Sequence, residues 1–499
     1  MKERRPEPSS GLHGLGRDAG WTVATLVVSS GTYVFLAGLA VRSLGKVGFG
    51  VFAILTVASS VLTLVDFGLG LTITRATAQS RSGLTEHDPS ALRDLVFIAN
   101  GAYAILGLIT LAIFMTAAFF LPSIGGIELK ELRLTAALIG TALALSLGTA
   151  GWPAVATGAR DFKWLGIATM LGSISNAAVV VGSISKIGMA ALGLGQLAAV
   201  LSSRTILGFR LKSSIDWFRM RIRRPSREGI TQVGLVALPL LILAGAGRVI
   251  ELTDLVVMTS FVSVSATGSY RLGSLLPAQA LSFLYKAYDV AFPRLAGASW
   301  QDQEDSIRWL SKVACYLGGL GFTWMILSRA DAIVLLAGGQ DLLAEKILLI
   351  FGLVWLANIP AHGLALLVIA RGLQSRLVPL VIGETVANIV LSVVLVKVIG
   401  PAGVAAATLV TLGISNLLIL PALLRSELRA PASFMLWCGL VPAAAGALAA
   451  MASLATRALP SPALRLGAGG ALAILAASVF GALLTGPSGR SRLKGMLAR

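Results

Sequence analysis

The chain has little charge. Of its 499 residues, 13% are Asp, Glu, Lys or Arg, whereas a soluble protein surface draws on roughly a quarter. A soluble multidomain protein is thereby excluded, and most of the surface must face lipid. Cysteine is almost absent. Cys315 and Cys438 both lie inside apolar runs, which rules out a disulfide framework or a zinc pattern and leaves packing roles. The three histidines, His13, His87 and His362, are far apart in sequence, so metal chemistry has no support. No HExxH, Walker or nucleophile-elbow pattern occurs, which speaks against ATP-driven work. Neither a catalytic residue nor a metal or cofactor is expected.

Acidic residues are also scarce, 23 against 41 lysines and arginines, for a formal charge of +18. On one soluble face that excess would suggest nucleic acid. Here the basic residues sit mostly in short connections between apolar spans, where topology is written, so no nucleic-acid partner is expected. The most basic stretch is FRLKSSIDWFRMRIRRPSR, Phe209 to Arg227, in which Asp216 is the single acid. It reads as a strap on the cytoplasmic side between two halves of a membrane transporter.

What is abundant is apolar. Hydrophobic residues make up 56% of the chain, with 55 glycines, and the mean hydropathy is +0.84. Windows of about 20 residues, the length that crosses a bilayer, place helices near 21–41, 47–73, 92–121, 132–152, 164–185 and 187–208. The second half continues with 229–263 and 269–296, turning at Ser265 to Gly268, then 307–328, 345–370, 376–398, 402–424, 433–455 and 463–486. The expected fold class is an all-α polytopic membrane protein of about 14 transmembrane helices, with two pseudo-symmetric six-helix lobes and two C-terminal helices. The expected organisation is a tail (1–20), an N-lobe (21–208), the basic linker (209–228), a C-lobe (229–425), the last helix pair (426–487) and a second tail (488–499). The polar, basic first 20 residues precede an apolar run too long for a signal-peptide core, so an uncleaved first helix is expected. The lysine and arginine bias puts both termini in the cytoplasm. No connection is long enough to hold a catalytic domain.

The halves echo each other. Ala159-Arg160, Asn176 and Ile187-Gly188 are answered by Ala370-Arg371, Asn388 and Ile399-Gly400, at offsets of about 212 residues. Gly48 to Phe52 is answered, less closely in offset, by Thr267 to Tyr270. A duplicated six-helix unit is the arrangement that lets a transporter rock about a central cavity.

The stretches VRSLGKVGFGVFAI (41–54) and VDFGLGLTITRATAQ (65–79) resemble the start of polysaccharide-export flippases of the Wzx type. These belong to the multidrug/oligosaccharidyl-lipid/polysaccharide exporter superfamily. Asp254, Tyr270, Phe292-Pro293 and the run NIVLSVVLVKVIGPAGVAAATLV (388–410) are similar to later signatures of the same family. Lys46 stands where an acid is more usual. The resemblance implies movement of an undecaprenyl-diphosphate-linked oligosaccharide across a bacterial cytoplasmic (inner) membrane, for surface polysaccharide such as lipopolysaccharide or exopolysaccharide. Membrane lipids would surround the protein, with polysaccharide polymerase and glycosyltransferases as partners. A multidrug or cation antiporter or a lipid II flippase of the same superfamily is the alternative within transport. A membrane-embedded polymerase or ligase, or a scaffold, is the alternative outside it.

Charges at membrane depth are costly and face interiors, cavities or one another. The flippase resemblance implies that Arg248, Arg271 and Lys286 receive the lipid diphosphate, since guanidinium forks suit phosphate oxygens. Asn176 and Asn388, with Asn100, Gln196, Gln279 and Asn358, would meet sugar hydroxyls; hydrogen bonds between helices explain them equally well. Asp66, Asp254 and Glu384 are candidates for a coupling cation or proton, or for structural ion pairs. Arg248 with Glu251, and Lys286 with Asp289, stand three apart and can neutralise each other on one helix face. Arg75 and Arg294 lie near predicted helix ends, where they would snorkel.

Overall fold

The computed structural model describes residues 11–62, 70, 73–74, 77, 89–120, 126–214, 227–295, 300–371, 373–425, 431–473 and 475. Asp66, Arg75 and most of the basic strap lie outside these residues, as do the side chains of Asp289 and Arg294.

The described residues are almost all helical. A single helical run, Gly11–Leu62, is broken at Gly45, whose φ of 70° and ψ of 177° suit glycine and few other residues. The break separates α1 (11–44) from α2 (46–62). There follow α3 (Pro89–Phe120), α4 (Leu129–Gly148), α5 (Gly151–Gly158), α6 (Phe162–Ile187), α7 (Ala190–Ser214), α8 (Arg227–Phe261) and α9 (Val264–Leu295). Next come α10 (Trp300–Leu327), α11 (Arg329–Ala337), α12 (Leu342–Ala370), α13 (Val378–Ile399), α14 (Ala402–Ile414), α15 (Pro431–Thr456) and α16 (462–473). The α14 span continues through a π-helical turn, Ser415–Ile419. With α4 and α5 taken as one broken span and α11 as a short connector, fourteen helical segments follow in the expected order. Ten described stretches are long and apolar enough to cross a membrane, the first running through the Gly45 break.

Three departures from the expected boundaries have local causes. The span near 132–152 is interrupted at Thr149-Ala150, and α5 restarts with Pro153 in its first turn, where a missing N–H costs nothing. The turn between α8 and α9 falls at Val262-Ser263, ahead of Ser265 to Gly268, because the Ser263 hydroxyl caps α9 by accepting from the Ala266 N–H at 3.1 Å. The start of α10 at Trp300 lies seven residues before 307, extending the helix through the polar turn Gln301 to Asp305.

The repeat is visible in the backbone. Gly126 (φ 75°) and Gly338 (φ 77°) are 212 residues apart, and so are Gly188 (φ 57°) and Gly400 (φ 74°). Each pair occupies the same turn of its lobe. Together with Gly45, all five positive-φ glycines fall on one face of the molecule, termed here the glycine face; the opposite face carries the end of α7 and the start of α8.

The lobes meet through α1, α2 and α9. One core cluster joins Leu36, Ala40 and Phe49 of the first half to Leu272, Leu275 and Leu348 of the second. A second cluster seats α15 on α10 through Cys438, Val441 and Ala445 against Cys315 and Leu320. Both cysteines are buried free thiols. On α13, Ile382, Val386, Val390, Val394 and Val398 are exposed at four-residue spacing, while Asn388, Ser392 and Val396 are buried on the other side. One stripe therefore faces lipid and the other the bundle.

Candidate functional site

The site is built from α1, α2, α6, α7 and α9, so both lobes contribute. Tyr33, Ala37, Phe52, Asn176, Gln196 and Arg271 line a pocket of about 50 Å3 between the lobes. That volume holds about one or two waters. The lobes are drawn together over it.

Arg271 is fixed by two partners. Its Nη1 donates to Glu251 Oε1 at 2.6 Å, and its Nη2 to the Tyr33 hydroxyl at 3.2 Å, on the opposite lobe. Arg248, one turn before Glu251, donates to Glu251 Oε2 at 2.8 Å. Glu251 thus bridges two guanidinium groups, leaving the trio with a net charge of +1. The two arginines differ in exposure: the Arg271 side chain is 19% exposed and that of Arg248 51%.

A second polar group lies within the C-lobe. Asp254 is 3% exposed. It accepts from the Tyr270 hydroxyl at 2.6 Å, from Thr408 at 3.3 Å and from Ser392 at 3.4 Å. Asn388 donates to Thr408 at 3.1 Å and Thr411 at 3.3 Å. Hydroxyls surround the carboxyl, and among the described residues no ion pair to it is found. The local rule behind this is the alignment of α8, α13 and α14, with Asn388 and Ser392 on one face at i and i+4. Among the described residues no group of three or more His, Cys, Asp or Glu side chains stands ready to hold a metal ion.

The glycine face is closed by a latch between lobes. Lys46 Nζ, in the α1–α2 turn, meets Asp341 Oδ2 at 2.9 Å. Asp341 also accepts from Ser269 at 2.7 Å and caps α12 through the Ala344 N–H. Burial raises the Asp341 pKa, but the Lys46 ammonium, the Ser269 hydroxyl and the Ala344 N–H outweigh it and hold the carboxyl below its usual range. Arg42 donates to the carbonyls of Leu335 and Leu336, at the negative end of α11. Beside the latch the backbones touch: a Cβ on Gly268 would overlap the Lys46 carbonyl oxygen, and one on Gly50 the Val264 carbonyl oxygen.

Of the residues singled out from sequence, Arg271 and Asn176 line the pocket, and Arg248 reaches it through Glu251. Asn388 and Asp254 belong together in the C-lobe network. Lys286 is exposed and lies fifteen residues along α9 from Arg271, about 22 Å away by helix rise. Glu384 is half-buried on α13, opposite the lipid-facing stripe. Asp66 lies outside the described residues. Gln196, a candidate for sugar hydroxyls, also lines the pocket; sequence reasoning missed Tyr33 and the bridging role of Glu251, whose position three residues from Arg248 was the available signal. It also noted Lys46 only as a departure from pattern, not as half of an ion pair.

Comparison with known proteins follows the same lines. The fold is shared with "Lipid II flippase MurJ, inward closed conformation", at TM-score 0.67 and 14% identity, covering 93% of this chain and 98% of that one. It is also shared with an inward-facing multidrug resistance MATE family transporter of the MOP superfamily, at TM-score 0.61, 14% identity and coverage of 85% and 98%. A MATE structure in complex with MaL6 gives 0.64, 14%, and coverage of 87% and 99%. The chain therefore shares the fold of these proteins, and its ten long apolar helices make it a multi-pass membrane protein. A family model described as "Polysaccharide biosynthesis protein" matches residues 16–299, more than half of the chain, and the chain belongs to that family. No curated protein matches.

Proposed function

We propose that the protein is a carrier that flips an undecaprenyl-diphosphate-linked oligosaccharide across a bacterial cytoplasmic membrane, by alternating access of the cleft between its lobes. It is not an enzyme. The observation that carries this reading is Arg271, held at the inter-lobe pocket in a trio with one positive charge to spare. A diphosphate suits such a site, because the guanidinium fork matches its oxygens, and a cationic drug does not. Asn176 and Gln196 would meet the sugar. Membership of a polysaccharide biosynthesis family supports the substrate class.

In this reading the glycine face points outward and both termini lie in the cytoplasm, as the basic bias supports. Asp254, with Asp66 and Glu384 as further candidates, carries the coupling cation or proton. The hydroxyl ring around a buried carboxyl without an ion pair supports Asp254 most. Lys286 and Asn388 remain candidates for substrate contact in a more open state. A polymerase and glycosyltransferases would consume and supply the lipid-linked unit.

The test is export. In a strain lacking the gene, the unaltered protein should restore surface polysaccharide, and Arg271→Ala should reduce it by about tenfold or more while membrane levels hold. Arg248→Ala, at the more exposed position, should cost less. Full export by Arg271→Ala would remove the site. Resistance to cationic dyes without any change in surface sugar would favour an antiporter, and rescue of cells depleted of their peptidoglycan flippase a lipid II carrier.

A further inference from the structure

Cations lie on aromatic rings at both faces, and the rings differ. On the glycine face they are phenylalanines: Phe119 beneath Arg133 and Phe261 beneath Lys397. On the opposite face they are tryptophans: Trp164 beneath Arg210, Trp300 beneath Arg371 and Trp437 beneath Lys312. Tryptophan marks the membrane–water interface. Two of these three cations also have an acid. Arg210 pairs with Asp161 at 2.9 Å, and Arg371 faces Glu304 at 3.9 Å. Lys312 has the ring alone among the described residues, its ammonium 4.8 Å from the centroid.

The helix sets the depth. Lys312 stands seven residues past Asp305, the last of the polar turn that opens α10, or about 10 Å into the apolar part of the helix. Glu304 is eight residues away, about 12 Å, and its carboxylate is already held by Arg308 at 2.8 Å. Trp437 is six residues into α15, about 9 Å. An ammonium offers three N–H donors and needs acceptors for them. The indole covers one side of it, and no described group accepts from the rest. A cation at this depth is costly unless something negative meets it.

The flank around Lys312 faces lipid. Trp437 heads an apolar stripe on α15 that continues through Leu440 to Met451 and Leu454, all exposed and all on one side of the helix. The other side of α15, through Cys438, Val441 and Ala445, is seated on Cys315 and Leu320 of α10, which fixes Trp437 beside Lys312. Neither helix lines the inter-lobe pocket. The flank therefore presents a positive group at interfacial depth, a flat ring beneath it, and apolar side chains running from there toward the middle of the bilayer. A phospholipid has the same order, phosphate first and acyl chains after.

We infer that Lys312 and Trp437 form a docking site for an anionic phospholipid of the adjoining leaflet, on the outer flank of the C-lobe. The phosphate accepts from the Lys312 ammonium, the acyl chains lie along the α15 stripe, and Trp437 holds the lysine at headgroup height. Basic positions between helices on a cytoplasmic face are where acidic lipid heads collect. The occupant is a membrane phospholipid and not the transported lipid, because α10 and α15 stand outside the cleft that holds Arg271.

The test uses the full-length protein in phosphatidylcholine nanodiscs doped with phosphatidylglycerol that carries a photoactivatable headgroup. Crosslinked peptides are mapped by mass spectrometry. Crosslinks around Lys312 and Trp437 should exceed those from phosphatidylcholine with the same photogroup by about fivefold, the preference expected of one lysine near a charged surface. Lys312→Gln should lower the phosphatidylglycerol signal there by about the same factor, and Lys312→Arg should keep it. Crosslinks beside Arg210 serve as the internal reference. Equal labelling by the two lipids, or a signal in Lys312→Gln within about twofold of the parent, would overturn the inference. Should Lys312→Gln fail to fold, the comparison of the two lipids on the unaltered protein decides alone.

Discussion

Breaking the pair Lys46–Asp341 should open the glycine face. The carboxylate is 4% exposed and the ammonium 42%, at 2.9 Å, so the pair is neither a surface bridge nor a buried one. Exposed pairs contribute about 0–1 kcal/mol, and breaking a buried pair costs about 3–5 kcal/mol. The half-exposed lysine argues for the lower part of that range, about 1–2 kcal/mol, because Ser269 and the Ala344 N–H still satisfy Asp341 when Lys46 is gone. About 1.4 kcal/mol is tenfold in population. The pair exists only with the lobes closed on this face, so Lys46→Ala or Asp341→Asn should raise the open fraction about tenfold. A reporter cysteine at Ala53, which lines the pocket, with Cys315 and Cys438 replaced, would show this as faster labelling by an impermeant maleimide. The exchanged pair Lys46→Asp with Asp341→Lys should bring labelling back toward the parent rate. Rates within twofold of the parent for both single variants would refute the latch. The pH dependence has a definite sign. The Asp341 carboxyl is held below its usual range, so the pair is intact above the ordinary carboxylate value near 3.9 and is lost only as pH falls through the lowered one. The ratio of the parent's labelling rate to that of Lys46→Ala should stay flat from about pH 8 to pH 5, because the fall in thiolate is common to both.

Other outcomes follow from the same contacts. Gly268→Ala places a methyl group against the Lys46 carbonyl and should destabilise the closed state by about 1–3 kcal/mol. Gly247→Ala, with open space around it, should be neutral or gain about 0.5–1 kcal/mol in helix preference; thermal unfolding of the purified proteins compares the two. Asp254→Asn retains an acceptor for Tyr270 while removing the charge, so the protein should fold normally yet lose the acceleration of transport by an imposed sodium or pH gradient in proteoliposomes. An unaltered gradient response would exclude Asp254 as the coupling group. The export loss expected for Arg271→Ala completes the set.

Much of the architecture was legible without coordinates. Hydropathy windows gave fourteen segments because a membrane helix must be apolar over its whole length. The offset of about 212 residues between Gly188 and Gly400 was a real repeat, confirmed by the shared left-handed backbone there and at Gly126 and Gly338. The break in the fourth span was not legible, since apolar composition runs straight through Thr149-Ala150. Neither was the turn at Ser263, where a single capping hydroxyl decided between adjacent polar residues.

The site divides in the same way. Sequence alone determined that a lipid-embedded, twofold repeated helical body carries a few charges at depth, because burying charge is expensive enough to make each one conspicuous. It marked Arg248 and Glu251 as neighbours, because three-residue spacing on a helix is local geometry. Only the tertiary structure decided which charges meet across helices far apart in the chain. It joined Arg271 to Glu251 and Tyr33, ringed Asp254 with hydroxyls from α9, α13 and α14, and tied Lys46 to Asp341. Those outcomes depend on how helices cross and which faces they turn toward one another, and nothing in a one-dimensional pattern of residues fixes that.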